Sequence, residues 1–308
     1  VQDPAFLLFR MTYFDVITLF YLVSAGFLLV HKIIVHRASL RFWRSRVFLL
    51  ILALSWAIVF YGSFVEPKIL TVHTQDISLS TSPTQSLRVV LIGDIHAGPY
   101  RGEAWVRTVV EKTMAEQPDL ILLVGDFIYD DPSQTVILGP LGDLSAPRGV
   151  YAVLGNHDYE GWQPEIITQT LEALHIEVLE NESVSIGITG ITLVGISDLW
   201  FAADLSKALE GIEEEDNVIL LSHNPDVVLD EESRLADLVL SGHTHGGQIR
   251  LPWIGSIPPI PDELGRAYDR GFYLYEGLPL FVTAGVGETG PRARLWNPPE
   301  ISLLTISY

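Results

Sequence analysis

The hydrophobic positions fall into two patterns that change near residue 66. Before it the apolar runs are long. One extends from Val16 to Val30 and continues past His31 and Lys32 to Val35, and residues 47–65 form 19 residues without a charge. Helices of that length reach across the ~30 Å hydrocarbon core of a bilayer. The alternative is a buried hairpin in a soluble protein, which the length and purity of both runs disfavour. A cleaved signal peptide fits poorly, because there are two spans and no small-residue cleavage pattern follows. From residue 87 the apolar runs are short, and each ends in polar residues. "LRVVLIGDIH" closes on Asp94 and His96, "PDLILLVGDF" on Asp126, and "GVYAVLGNHDY" on Asn156, His157 and Asp158. "DNVILLSHNPD" closes on His223, and "ADLVLSGHTH" on His243 and His245.

Continuous apolar runs of this kind predict strands buried on both faces. Between them the sequence predicts helices over about 103–117, 163–175, 203–214 and 226–235. "ITLVGI", "GFYLYEG", "LFVTAG" and "EISLLTISY" read as further strands. The expectation is an α/β fold with a layered sheet core and helices outside. The chain divides into a membrane anchor with two transmembrane helices (1–65), a connector (66–86) and a catalytic domain (87–308).

Charge sharpens the division. Residues 1–65 carry six Lys/Arg against Asp3 and Asp15, whereas the remainder has 13 Lys/Arg against 36 Asp/Glu. A domain that acidic repels phosphate backbones, so nucleic acid is a poor partner. The expected partners are a phospholipid bilayer and a lipid-linked or small phosphodiester substrate. Nothing in the sequence specifies a protein partner. The linker between the spans, "HRASLRFWRSR", holds four arginines and no acid. Short loops of that kind stay cytoplasmic, which places the catalytic domain outside the cytoplasm. Cysteine is absent, so disulfides, thiolate metal sites and thiol nucleophiles are excluded.

Five strand ends thus deliver Asp94, His96, Asp126, Asn156, His223, His243 and His245. Strand C-terminal ends are where open α/β sheets build their sites. Taken singly, each residue has an ordinary structural reading: a Gly-Asp after a strand is a turn, and a lone buried His is a core residue. The conjunction points elsewhere. Carboxylates and imidazoles without thiolates suit Mn²⁺, with Fe or Zn²⁺ as alternatives. Seven groups exceed the needs of one tetrahedral ion and match two ions sharing a bridge, for which Asp126 is the natural choice. His243 and His245 lie at i and i+2, on one face of an extended segment, and the surrounding glycines allow close approach.

In order, "GDIH", "GDF", "GNHD", "SHNP" and "GHTH" resemble the five signature blocks of the calcineurin-like metallophosphoesterases, over about residues 87–308. The resemblance implies a four-layer αββα sandwich with a dinuclear centre at the strand ends. Carried over by position, one metal takes Asp94, His96, Asp126 and His245. The second takes Asp126, Asn156, His223 and His243. His157 then acts on the leaving group, and Asp158 either holds its tautomer or caps a helix. Two ions ~3.5–4 Å apart would bind phosphoryl oxygens and generate a bridging hydroxide for in-line attack. The absence of a G-x-S-x-G elbow agrees with a water nucleophile. The first block has Gly93 before Asp94 and Ala97-Gly98 after His96, where relatives often have Ser and Leu-Gly. Neither departure touches a ligand position.

"GHTHGGQIRLP" and "RARLWNPPEISLLTI" look most similar to bacterial membrane-associated phosphodiesterases, a branch that also resembles a form of UDP-2,3-diacylglucosamine hydrolase. That enzyme releases UMP and makes lipid X for lipid A. Residues 251–275 are the expected substrate wall, with Trp253 as an apolar lip and Arg266 and Arg270 for phosphate. Arg292 and Arg294 are further candidates. A UDP-sugar requires a cytoplasmic active site, in conflict with the arginine linker; an extracytoplasmic envelope or cell-wall diester is the alternative. A metal-free, protein-binding scaffold would have eroded ligands, and here every ligand position is filled.

Overall fold

A computed structural model describes residues 4–35, 42–80, 82–160, 163–213 and 217–308. Helix α1 (Pro4–Val35) and helix α2 (Phe42–Phe60) form an antiparallel pair. Tyr21 Oη lies 2.6 Å from Ser55 Oγ, and Trp56 Nε1 donates to Leu22 O at 2.9 Å. Only 17 % and 11 % of their apolar windows is buried, with Phe20, Val23 and Phe27 turned outward. A core helix of a soluble domain would bury that face, so these are two candidate membrane-spanning helices. Residues 36–41 of the arginine-rich linker, with Arg37 and Arg41, lie outside the described residues. Helix α2 leads through a π-helical turn, Tyr61–Val65, and a 3-10 turn, Glu66–Lys68, into the sheets.

The strands are β1 (Thr71–Ser78), β2 (Ser86–Ile92), β3 (Leu120–Val124), β4 (Val150–Val153), β5 (Glu177–Val178), β6 (Glu182–Ser185) and β7 (Ile191–Gly195). They continue with β8 (Asn217–Leu221), β9 (Leu238–Ser241), the short pair β10 (Arg250–Leu251) and β11 (Gly255–Ser256), β12 (Gly271–Tyr275), β13 (Leu278–Val282) and β14 (Glu300–Ser307). One sheet has the order β1-β14-β2-β3-β4-β5, the other β12-β13-β9-β8-β7-β6. The connector thus contributes a strand, β1, to the first sheet, parallel to β14.

Alternation along the strands builds the layers. In β2, Val89 and Leu91 face the second sheet and join Ile219 and Leu240 in one buried cluster. Val90 and Ile92 point the other way, against α3 (Glu103–Ala115) and the later helix at Pro164–Ala173. Side chains of a strand alternate between faces, so one run serves two interfaces. Val218 and Leu220 of β8 cover the far side with Leu205, Val227 and Val228. The outcome is the expected αββα sandwich.

Two expected helices are much shorter than their hydrophobic spacing implies. The 203–214 segment forms one turn, Leu205–Ala208, and 226–235 forms two 3-10 turns, Pro225–Leu229 and Glu231–Leu235. Asp204, Asn224 and Asp230 each capture a backbone amide two or three residues ahead. Such local bonds favour separate capped turns over a continuous helix.

Candidate metal centre

The parallel runs β2-β3-β4 and β7-β8-β9 end at a common edge. The loops that leave them are held together by their backbones: Asp94 N donates to Gly125 O at 3.0 Å and His96 N to Asp126 O at 2.9 Å. Asp94, His96, Asp126, His243 and His245 all have positive φ, between 47° and 70°. A left-handed conformation costs a non-glycine residue about 1–3 kcal/mol and concentrates at functional sites. Here it turns five side chains inward over the strand ends. Space is kept by Gly285, where a Cβ would stand 2.5 Å from Asp94 Oδ2.

One oxygen of each carboxylate is occupied by an amide. His243 N donates to Asp94 Oδ1 at 3.0 Å, and His157 N to Asp126 Oδ1 at 2.9 Å. Asp126 Oδ2 is thereby aimed at the centre, 3.3 Å from Nε2 of both His96 and His223. The His223 ring is oriented by Nδ1 donating to Val124 O at 2.7 Å. His96 Nε2 lies 3.0 Å from His245 Nε2, which is 3.5 Å from Asp94 Oδ1. On the other side of Asp126, His243 Nδ1 lies 2.9 Å from Asn156 Oδ1 and 3.2 Å from His223 Nε2.

Burial dominates the electrostatics. It pushes the Asp94 carboxyl up to about 7, and His96 and His243 down to about 3. His245 is driven well below the usual imidazole range for the same reason. His223 goes the other way: burial opposes its charge, but the Asp126 carboxylate outweighs it and holds it up at about 10. Asp94 Oδ2 and His243 Nε2 are buried without a hydrogen-bond partner. The ligand atoms of Asp94, His96, Asp126 and His245 fall within 4.8 Å of one another. Converging acceptors with few protons to share are costly in a protein interior unless a cation joins them. This donor set fits divalent metal.

Asp126, Asn156, His243 and His245 floor a cavity of about 380 Å³, walled by Phe14, Tyr129, Glu160, Trp200, Pro261 and residues 289–291. His157 lies at its edge. Its Nδ1 is within hydrogen-bond reach of Tyr129 O and 3.5 Å from Glu160 Oε2. Burial lowers its pKa, but the Asp126 and Glu160 charges outweigh it and raise it.

The chain belongs to the calcineurin-like phosphoesterase family. Residues 87–247 match that family. An uncharacterized metallophosphoesterase of Helicobacter pylori J99 is 32 % identical over 275 residues, covering 86 % of this chain and 70 % of the relative. The metallophosphoesterase YkuE of Bacillus subtilis is 30 % identical over 256 residues, 80 % of this chain and 88 % of that protein. A bovine transmembrane protein with metallophosphoesterase domain is 34 % identical over 241 residues, 72 % of this chain and 53 % of its own length. The protein is thus a metal-dependent phosphoesterase, preceded by two apolar helices that are candidate membrane spans.

Several expected roles change in this metallophosphoesterase. Asp158 does not orient His157: its carboxylate accepts from the amides of Gly155, Phe127 and Ile128 and braces the loops after β3 and β4. The His157 ring faces Tyr129 O and Glu160 instead. None of the five expected substrate residues lines the cavity. Trp253 is fully exposed beyond the β10–β11 pair. Arg266 donates to Ile257 O, and Arg270 to Asn297 Oδ1 beneath Gly246. Arg292 stacks on the Tyr100 ring at 4.6 Å, facing Asp15 and Glu288. Arg294 is wholly buried and donates to the carbonyls of Ala284, Gly285, Gly287 and Asn297. All three of its nitrogens are directed to backbone carbonyls, and its burial keeps it away from the cavity.

Conversely, the sequence reading missed Trp200, whose ring meets His243 edge-on at 4.8 Å, and Asp198, pushed up to about 6 by burial. A signal existed. Both follow β7, whose C-terminal end lies in the same row as the other ligand-bearing strands.

Proposed function

We propose that the protein is a two-metal phosphodiesterase or pyrophosphatase acting on a lipid-linked or envelope substrate, with UDP-2,3-diacylglucosamine the leading candidate. The observation that carries this reading is the position of Asp126 Oδ2, 3.3 Å from imidazoles of two separate clusters. Asp94, His96, Asp126 and His245 would hold one cation; Asp126, Asn156, His223 and His243 the other. Mn²⁺ suits these oxygen and imidazole donors, with Fe and Zn²⁺ as alternatives. Two bound cations would supply Lewis-acid contacts to the phosphoryl oxygens and acidify a water between them.

The chain's own residues do the rest. His157, with Nδ1 engaged by Tyr129 O, has Nε2 left to hold a proton for the departing oxygen. Asp126 and Glu160 favour its protonated form. Trp200 and Pro261 narrow the cavity above His243. Phe14 of α1 forms part of the wall, so the anchor reaches the active site and favours a substrate drawn from the bilayer.

The test is UMP release from UDP-2,3-diacylglucosamine by the Mn²⁺-loaded protein in detergent, with His157→Ala as the blank. Release identifies a lipid A pathway enzyme with its active site on the cytoplasmic face. Turnover of a simple aryl phosphodiester alone selects the second reading, an extracytoplasmic envelope or cell-wall diester. That reading is favoured by the four arginines and no acid of residues 36–46.

A further inference from the structure

A second cavity, about 300 Å³, adjoins the catalytic one between α1, α2 and the segment that ends at Leu295. Its lining is almost wholly apolar. Phe14, Thr18 and Tyr21 supply the α1 wall at i, i+4 and i+7, one continuous helical face. Opposite them Gly62 lies in the π-helical turn that follows α2, where a Cβ would stand 3.2 Å from Arg294 O, so glycine lets the turn close against the segment that ends at Leu295. The two cavities share Phe14, and a single segment supplies Pro291 to one and Leu295 to the other.

The groove has a direction. From Phe14 to Tyr21 it follows the axis of α1 for roughly 10 Å, away from the metal ligands and into the apolar span. Beside Phe14 in the chain, Asp15 accepts from Tyr100 Oη at 2.9 Å and faces Arg292 Nη1 at 3.9 Å. A polar cluster therefore adjoins in the chain both Phe14, which the cavities share, and the segment Pro291–Ala293, which supplies a residue to each. Beyond it lies apolar surface held open by the Tyr21–Ser55 and Trp56–Leu22 contacts between the helices. Polar chemistry at one end of a passage and a narrow apolar channel at the other match an amphiphile with one hydrocarbon chain seated.

We propose that this groove binds the hydrocarbon chain of the substrate. The enzyme then takes phosphoesters bearing an acyl or alkyl chain, with the phosphoryl group beside His157 and the chain laid along α1. This inference rests on the phosphoesterase reading above and names the substrate class that the site selects.

The experiment uses alkyl p-nitrophenyl phosphates from methyl to dodecyl, hydrolysed by the full-length, Mn²⁺-loaded protein. For the wild type, kcat/KM should rise ~2- to 4-fold per methylene until the groove is filled, since each buried methylene contributes a comparable factor. Thr18→Phe should abolish this dependence, bringing the dodecyl-to-methyl ratio near one. The ratio is taken within each variant, so differences in active fraction cancel. Ile58→Phe, at the rim of the same groove, should do likewise and carries the test if Thr18→Phe does not fold. A binding measurement needs no turnover. The chain has no cysteine, so Ser63→Cys places a single thiol in the groove. Dodecylphosphonate should slow its alkylation at least tenfold, and methylphosphonate should not.

A wild-type enzyme indifferent to chain length, or filled-groove variants that keep the wild-type ratio, would overturn the groove assignment while leaving the phosphoesterase reading intact. An Mn²⁺-loaded wild type that hydrolyses none of the esters, methyl included, would overturn the underlying reading instead.

Discussion

The Nε2 atoms of His96 and His245 stand 3.0 Å apart in the interior of the protein, brought together from β2 and β9 across 149 residues of chain. Burial holds both rings neutral, His96 down at about 3 and His245 well below its ordinary range. Asp94 Oδ1 and Asp126 Oδ2 crowd the same point at 3.5 Å and 3.3 Å. Two neutral rings can share at most one hydrogen bond here, whereas a cation would engage all four groups.

Metal binding should release protons near neutral pH. In the metal-free protein His223 is held up at about 10, so it keeps its second proton at pH 7. That proton must leave before Nε2 can coordinate. Asp94, up at about 7, is partly protonated there as well. Affinity for Mn²⁺ should therefore rise with pH and weaken as the solution is acidified. Calorimetric titration in buffers of different ionisation heat should show about one proton or more released per site pair. Proton uptake would contradict the arrangement.

His157→Ala should retain both metals and lose ~10²–10⁴ of turnover, the usual worth of a positioned proton donor. Elemental analysis and kcat on one preparation separate the two quantities. The raised pKa of His157 also sets a sign. Its proton-bearing form exists below that pKa, so activity should decline as pH climbs through it. The same limb should be missing from the His157→Ala profile.

Asp126→Ala should empty or scramble both sites, because Oδ2 serves both clusters and Oδ1 anchors the His157 amide. A fully metallated, active Asp126→Ala protein would remove the basis for a bridging carboxylate.

Gly155→Ala should damage the centre without altering any ligand. A Cβ there would come within 2.6 Å of Asp126 N and 2.8 Å of His223 Cε1. Relief requires the Asp126 loop to move, at a cost of ~1–3 kcal/mol. We expect a lower melting temperature together with reduced metal stoichiometry; an unchanged metal content would mean the loop has room to adjust.

Asn297→Ala should weaken the His245 cluster from outside it. Asn297 Nδ2 donates to His245 O at 2.7 Å, its Oδ1 accepts from Arg270, and its backbone amide bonds to Glu66 at the foot of α2. Loss of such a support costs ~10- to 100-fold in metal affinity. Mn²⁺ titration should show one weakened site and one less affected.

The two apolar spans, the row of buried strands and the seven groups at the strand ends are all legible in the amino-acid order. Those signals are local: run length, strand periodicity, and polar residues beside glycine after each run. The segments around 203–214 and 226–235 mislead, because capping by Asp204, Asn224 and Asp230 competes with helical spacing that otherwise looks adequate. Everything that depends on which groups meet came from the three-dimensional packing. Arg294 and Arg270 look like phosphate ligands in one dimension, yet packing gives their donors to carbonyls and to Asn297. Asp158 follows His157 in sequence, but the helical turn at Asn156–Glu160 directs its carboxylate to three backbone amides. Phe14 and Trp200, far apart along the chain, become walls of one cavity because α1 and the loop after β7 converge on the same sheet edge. Residue type and spacing record which chemistry is available; only the packed chain sets which donors are already spent and which remain facing the site.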